Sequence, residues 1–241
     1  MRPWHGPVWR LSLPIMLANV TTPLMGMVDS AIVGHLPDPA LIGAVAVGAL
    51  VFSFLFWAFG FLRMGTTGFA AQAFGAGDRA EIAACFFRPA LLALLLGGLI
   101  IALQAPLADL AFGLVAPDAA VERNARIYYE IRVLSAPATL LAYVVVGWFI
   151  ALQDTRWVLA YGLLTNLLNL GFSLAFVLGL DWGIAGVAWG TVCAELAAPL
   201  LLAPVIAWKL RRHGTRPGLA RLLDGGRLLA LVRVNADLFL R

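Results

Sequence analysis

The chain has 241 residues, of which 62% are hydrophobic and 12% are charged, and its formal net charge is +4. Soluble domains average about 45–50% apolar and about 25% charged residues, and a core of this size cannot bury so much apolar surface. The composition therefore excludes an ordinary soluble domain and predicts a protein that crosses a membrane several times.

Six apolar segments are long enough to cross a membrane, because a spanning helix needs about 20 mainly apolar residues. They cover residues 8–35, 41–74, 86–112, 127–152, 157–180 and 184–208. Backbone groups in lipid must be paired within their own segment, so these segments are expected to be helices. We predict an all-α, polytopic membrane protein in which residues 1–208 form one bundle of six transmembrane helices. Residues 209–241 are predicted to be a basic cytoplasmic linker.

The distribution of arginine and lysine predicts the orientation, because these residues concentrate on the cytoplasmic side. With the N-terminus inside, the basic tail and five arginines lie on that side: Arg2, Arg10, Arg79, Arg88 and Arg156. Only Arg123 and Arg126 fall in an outer loop, with Arg132 close by. We therefore expect a multi-pass protein of the inner (plasma) membrane with both termini in the cytoplasm. No aromatic residues alternate with the basic residues of the tail, so a nucleic-acid partner is not expected.

The first segment carries a single carboxylate, Asp29, with no basic residue near it in sequence. It lies about 10 Å from the outer end of the segment, at 1.5 Å per residue. A carboxylate within a span is costly and marks a functional site. We predict that Asp29 lies at the centre of a proton or cation site.

Other polar side chains reach the same depth from the fifth and sixth segments. Asn166, Asn169 and Ser173 follow i, i+3, i+7 spacing and share one helix face. Thr191 lies about 10 Å below the start of the sixth segment. With Asp29, these four residues form the predicted proton or cation site. The alternative is that Asn166, Ser173 and Thr191 join helices through hydrogen bonds worth about 0.6 kcal/mol each.

Four further residues are secondary candidates. Glu195, one turn deeper than Thr191, is a second carboxylate of the site, the partner of a basic group, or a protonated side chain that faces a lipid-lined gap. For Arg63, a position snorkelling towards the headgroups or a structural ion pair is favoured over substrate contact, and Gln72 is a candidate cap of its helix. Pro23 removes a backbone hydrogen bond six residues before Asp29, which makes it a hinge candidate or a simple structural kink.

An enzyme is not expected, because hydrolysis needs a nucleophile with a base, or a metal site. The histidines lie at segment ends or in the tail: His5, His35 and His213. No catalytic or metal-binding cluster is predicted, apart from the sodium option at Asp29.

Four stretches resemble the multidrug and toxic compound extrusion family, and within it the DinF-like branch. They are LPIMLANVTTPLMGMVDSAIVGHL (13–36), RMGTTGFAAQAFGAGD (63–78), ALQDTR (151–156) and NLLNLGFSLAFVLGLDWGIAGVAWGTVCAE (166–195). The resemblance implies a secondary antiporter of twelve helices in two six-helix lobes. Such a protein exports cationic or amphipathic compounds in exchange for protons or sodium, and it needs no cofactor.

The resemblance also implies roles for individual residues. Asp29 would carry the coupling ion, with Asn169 beside it and Thr191 in the same polar pocket. Ser173 stands where family members often have a second acid, which leaves Asp29 with most of the coupling.

The length of the chain matches one lobe, so we expect a truncated N-terminal lobe whose C-terminal partner lobe is missing. A natural half-transporter is the alternative. A single lobe should not transport alone, because alternating access needs two bundles around a shared site. A lipid-linked oligosaccharide flippase of the same superfamily and a non-transporting membrane scaffold are the competing functions.

Overall fold

The computed structural model describes residues 5–34 and 38–213, apart from the side chains of residues 5–8, 10 and 21–25. Within these ranges the chain folds into helices joined by short turns, with no strand. The side chain of the predicted hinge Pro23 and most of the predicted linker, residues 214–241, lie outside this description.

Nine α-helices follow one another along the described residues. They are α1 (His5–Val33), α2 (Ala40–Trp57), α3 (Phe61–Gly75), α4 (Arg79–Ala102), α5 (Gln104–Val115), α6 (Ala119–Arg132), α7 (Ala136–Ala151), α8 (Arg156–Leu174) and α9 (Gly183–His213). A 3₁₀ turn, Val133–Ser135, joins α6 to α7, and α8 continues into a π turn at Ala175–Gly179.

The fold class predicted from the sequence is confirmed. Five stretches are long and apolar enough to cross a membrane, namely residues 40–75, 79–102, 119–151, 156–179 and 183–213. The first predicted segment is the 29-residue helix α1, which carries the apolar run Leu11–Val20. The protein is therefore a multi-pass membrane protein.

The third predicted segment, 86–112, is wrong as a single helix. Helix α4 begins earlier, at Arg79, because the Asp78 side chain caps it by accepting the backbone N–H of Glu81 at 3.0 Å. The chain then breaks at Leu103 before α5 begins. Pro106 explains the break, since a proline lacks an N–H and its ring clashes with the carbonyl four residues earlier.

Two other segments are also interrupted. The second predicted segment is divided into α2 and α3 by a turn that ends at Gly60. The fourth begins earlier than predicted, as α6, and contains the 3₁₀ turn before α7. Pro137 lies in the first turn of α7, where its missing N–H costs no helical hydrogen bond.

The sixth helix extends further than predicted. Helix α9 passes Pro199 and Pro204 and ends at His213, beyond the end of the predicted sixth segment at residue 208. Lys209 is buried against the rest of the bundle and forms an ion pair with Asp154. This packing holds the start of the predicted linker in helical form.

The outer surface of the bundle is apolar. Trp57 is 79% exposed, Leu114 78% and Leu200 72%. Exposed apolar area on this scale is unusual for a soluble monomer, and it suits a protein surrounded by lipid.

Helices α1, α8 and α9 form the part of the bundle that carries the candidate site. Helix α8 packs on both α1 and α9. Two glycines of α9 allow the close approach to α8: a Cβ atom at Gly190 would lie 2.2 Å from Ser173 Oγ, and one at Gly186 would lie 3.0 Å from Val177 Cγ2. Small residues at such crossings are typical of membrane helix pairs, and here they fix how the polar faces of α8 and α9 meet α1.

Candidate functional site

Asp29 lies at the junction of α1, α8 and α9, with only 3% of its surface exposed. Asn169 on α8 donates from Nδ2 to Asp29 Oδ1 at 3.2 Å. Thr191 on α9 donates from Oγ1 to Asp29 Oδ2 at 3.3 Å. Three helices predicted to contribute to one site therefore do meet there. We call Asp29, Asn169 and Thr191 the carboxylate triad.

The hydrogen bonds of the carboxylate triad are not all satisfied at once. Asn169 Nδ2 also lies 3.1 Å from Thr191 Oγ1, and Thr191 Oγ1 lies 3.2 Å from the carbonyl of Val187. The threonine has one hydroxyl hydrogen, so it can satisfy either Val187 or Asp29 at a given moment. Asn169 Oδ1 is buried and has no hydrogen-bond partner within the described residues.

The chemistry of the carboxylate triad suits a small cation or a proton. Carboxylate, hydroxyl and amide oxygens are the ligands that hard cations prefer. None of the ion pairs among the described residues involves Asp29. No group of three or more His, Cys, Asp or Glu residues that could hold a metal occurs in the same ranges. The carboxylate thus sits in a buried site whose hydrogen-bonding partners are neutral.

Ser173 and Asn166 occupy other places on α8. Ser173 is fully buried, but it lies against Gly190 of α9, and its hydroxyl has no hydrogen-bond partner in the described part of the chain. Asn166 donates from Nδ2 to the carbonyl of Gly162 at 2.9 Å, within its own helix. Shared helix face alone did not bring these two side chains into the carboxylate triad.

Glu195 belongs to a second polar cluster with α6 and α7. Thr139 Oγ1 on α7 lies 2.5 Å from Glu195 Oε2, and Arg132 Nη2 on α6 lies 3.9 Å from Glu195 Oε1. Arg132 also donates from Nη1 to the Tyr128 hydroxyl at 3.2 Å and stacks over the ring of Phe52 at 4.8 Å. Of the positions considered for Glu195, the structure shows it beside a basic group, Arg132.

Arg132 and Thr139 were missed by the sequence reasoning. Arg132 was noted only as lying close to a predicted outer loop, whereas in the structure its side chain is 15% exposed and faces Glu195 inside the bundle. The signal was present, since Arg132 lies within the predicted segment 127–152 and an intramembrane charge should have been treated as functional.

A cavity of about 200 Å³ opens beside Glu195. Its polar lining comes from helices α1, α3, α7, α8 and α9, and includes Asn19, Arg63, Tyr143, Thr165, Asn166 and Glu195. Arg63 is exposed and, among the described residues, takes part in no ion pair. Gln72 is exposed at the end of α3, where its backbone carbonyl, not its side chain, accepts the N–H of Ala76.

The MatE family model matches residues 14–175 of the chain. The chain belongs to the MatE family. Its members are transporters, not enzymes, which agrees with the absence of a predicted catalytic cluster. The resemblance inferred from the four sequence stretches is thereby confirmed.

Curated relatives include the DNA damage-inducible protein F of Escherichia coli K12, which is 40% identical over 97% of this chain and 51% of its own length. The probable multidrug resistance protein NorM of Thermotoga maritima is 28% identical over 87% of this chain and 46% of its own length. The chain spans about half the length of the curated relatives it matches.

Solved structures give the same fold. An outward-facing multidrug resistance MATE family transporter of the MOP superfamily aligns over 97% of this chain and 52% of its own, with a TM-score of 0.84 and 22% identity. A MOP superfamily transporter from Pyrococcus furiosus, described as having a binding pocket of reversed polarity, aligns with a TM-score of 0.82 at 22% identity, over 97% of this chain and 52% of its own.

Proposed function

We propose that this chain forms the N-terminal lobe of a cation-coupled antiporter that exports amphipathic or cationic compounds, and that Asp29 carries the coupling ion. The single observation behind the proposal is the buried carboxylate of Asp29, held by the neutral side chains of Asn169 and Thr191 at 3.2 and 3.3 Å. A permanent basic partner would hold Asp29 in one state, whereas neutral partners allow it to gain and lose a cation.

The coupling ion is a proton or sodium. A proton needs only the carboxylate, and the hydrogen bonds from Asn169 and Thr191 can rearrange around it. Sodium would use several oxygens, which Asp29 and Thr191 can supply, and Asn169 would add its Oδ1 if its amide group turned over.

The cavity beside Glu195 is the proposed contact surface for the exported compound. It combines one carboxylate with the aromatic rings of Tyr143 and Tyr161 and with apolar side chains. Aromatic faces and a carboxylate together favour an amphipathic cation. A lipid-linked oligosaccharide needs several basic groups for its pyrophosphate, and Arg63 is the one basic residue among those that line the cavity.

Transport itself is proposed for the complete protein. Alternating access moves two bundles around a site between them, and this chain corresponds to about half of its relatives. The lobe is proposed to lie in the inner (plasma) membrane with both ends in the cytoplasm, which places the Lys209 end of α9 inside.

Neutralisation of Asp29 tests the coupling role. We expect sodium, or a decrease in pH, to raise the thermal unfolding temperature (Tm) of the purified chain in detergent, because a cation bound to the folded state stabilises it. Asp29→Asn should abolish this rise. Asp181→Asn, in an exposed turn, is the matched control and should keep it. An Asp29→Asn variant that keeps the full cation response would refute the proposal.

Efflux assays separate the antiporter from the alternatives. In cells that express a two-lobe protein carrying this lobe, Asp29→Asn should raise the accumulation of ethidium to the level of cells without the transporter. A scaffold predicts an unchanged accumulation. Purified chain reconstituted alone in liposomes should show no efflux, and clear efflux by that chain would overturn its assignment as one lobe.

A further inference from the structure

We propose that Arg132 is a counter-ion shared between Asp29 and Glu195, and that it links cation binding at Asp29 to ligand binding in the cavity beside Glu195. This inference rests on the proposed function, because it assigns the residue through which ion and exported compound compete. Arg132 is a positioning residue in this scheme: it touches neither the ion nor the compound.

The guanidinium of Arg132 is held incompletely by its surroundings. Its side chain is 15% exposed, and its nearest approach to Glu195 is 3.9 Å, which is beyond hydrogen-bond distance. Its Nε has no hydrogen-bond partner within the described residues, and its one hydrogen bond there goes to Tyr128. A buried arginine with an unused donor is not locked to a single partner.

Both carboxylates are near enough to influence this guanidinium. Glu195 lies 3.9 Å from Arg132, and Asp29, further away, is within electrostatic range of both. Thr139 on α7 binds Glu195 through its hydroxyl and so fixes the position of that carboxylate. Arg132 is the long, flexible member of the group and can respond to changes at either acid.

The remaining titratable or charged neighbours do not replace Arg132. Tyr128 on α6 contacts it directly, Tyr143 on α7 interacts with Arg63, Glu195 and Arg132, and Arg63 on α3 is exposed at the cavity. Among the described residues, Arg132 is thus the cation that acts on Asp29 and Glu195 together.

Charge balance gives the consequence. Two carboxylates and one guanidinium carry a net charge of −1, so one bound monovalent cation makes the group neutral. When Asp29 is empty, Arg132 is shared and Glu195 is partly available to a cationic ligand in the cavity. When Asp29 holds its ion, Arg132 belongs to Glu195, and the cavity loses its attraction for that ligand. Ion and ligand then exclude one another without sharing a site.

Ethidium binding to the purified chain, measured by fluorescence anisotropy, tests the link. Asp29→Asn mimics the loaded state and should weaken binding at least about fivefold, within the usual range of coupling between sites. Arg132→Gln should strengthen binding, and adding Asp29→Asn to it should have no further effect. Glu195→Gln should weaken binding and also remove the response to Asp29→Asn.

The conservative variant guards against a loss of folding. Arg132→Lys keeps the positive charge and should retain the response to Asp29→Asn, even if Arg132→Gln unfolds. The inference is overturned if Asp29→Asn weakens ethidium binding equally with and without Arg132 or Glu195, or if Arg132→Gln weakens binding in folded protein. If Asp29→Asn abolishes the cation-induced rise in Tm and yet leaves ethidium binding unchanged, the role of Arg132 is rejected. The proposed function would still stand after that result.

Discussion

Replacement of Gly190 by alanine tests whether the contact between α8 and α9 builds the carboxylate triad. The new Cβ atom would lie 2.2 Å from Ser173 Oγ, 2.8 Å from its backbone nitrogen and 2.9 Å from its Cα. Ordinary contacts begin near 3.4 Å. The two backbone contacts cannot be relieved by a side-chain rotation, so the helices must move apart by about half an ångström.

The expected cost follows from two opposing terms. Overpacking costs about 1–3 kcal/mol, and a clash with backbone belongs at the upper end. Alanine in place of glycine within a helix returns about 1 kcal/mol. The free energy of unfolding should therefore fall by about 2 kcal/mol, which corresponds to about 4–8 °C in Tm for a chain of this size.

Gly171→Ala is the matched control, because it makes the same chemical change on α8 at a position where a Cβ atom meets nothing within 4 Å. Its Tm should rise by about 2–4 °C. Both variants can be compared with the wild type by tryptophan fluorescence in detergent, with and without sodium. Gly190→Ala should also reduce the cation response, because separation of α8 from α9 lengthens the 3.1 Å contact between Asn169 and Thr191. Equal Tm shifts in both variants would refute the reasoning.

Further variants probe the ion pair between Asp154 and Lys209 and the carboxylate triad. At Asp154, burial raises the pKa, but hydrogen bonds from Lys209 and Arg156 outweigh it, and the pKa lies below its usual value of 3.8. The ionised carboxylate therefore stabilises the fold at neutral pH, and this stabilisation is lost as the pH falls through the lowered pKa. Asp154→Asn should lower the free energy of unfolding by about 1–2 kcal/mol at pH 7, less than the loss of one partner in a fully buried pair. The Tm values of the variant and the wild type, plotted against pH, should converge in strong acid. Thr191→Val should remove the hydroxyl that donates to Asp29 and so reduce the cation-induced rise in Tm. Thr191→Ser keeps a hydroxyl and should preserve that rise. An equal rise in the two variants would exclude a role for the hydroxyl.

The sequence predicted the parts of this protein that depend on local chemistry. Apolar length determined the spanning segments, and the isolated carboxylate Asp29 marked the site without any structural information. The depth of Asn169 and Thr191, counted along their helices, was enough to predict that they reach Asp29. These inferences hold because rise per residue and the cost of a charge in lipid are the same for every helix.

Helix breaks were predicted less well. The turn ending at Gly60 falls inside a continuous apolar run, and the interruption at Leu103 is followed by a segment that is still mainly apolar, so hydrophobicity does not reveal them. Pro106 could have indicated the first of these breaks, because its effect on the preceding turn is local.

The neighbours of each side chain were decided by how the helices cross. Ser173 shares a face with Asn169, yet the close approach at Gly190 turns it towards α9, and Asn166 lines the separate cavity. Arg132 and Glu195 are distant in sequence and meet because α6 packs against α9. A sequence fixes the depth and the face of a residue on its own helix, but the rotation and separation of neighbouring helices depend on side-chain packing along their whole length. For this reason the sequence alone pointed to Asp29 as the candidate acid, and only the tertiary structure showed that Arg132 and Glu195 meet inside the bundle.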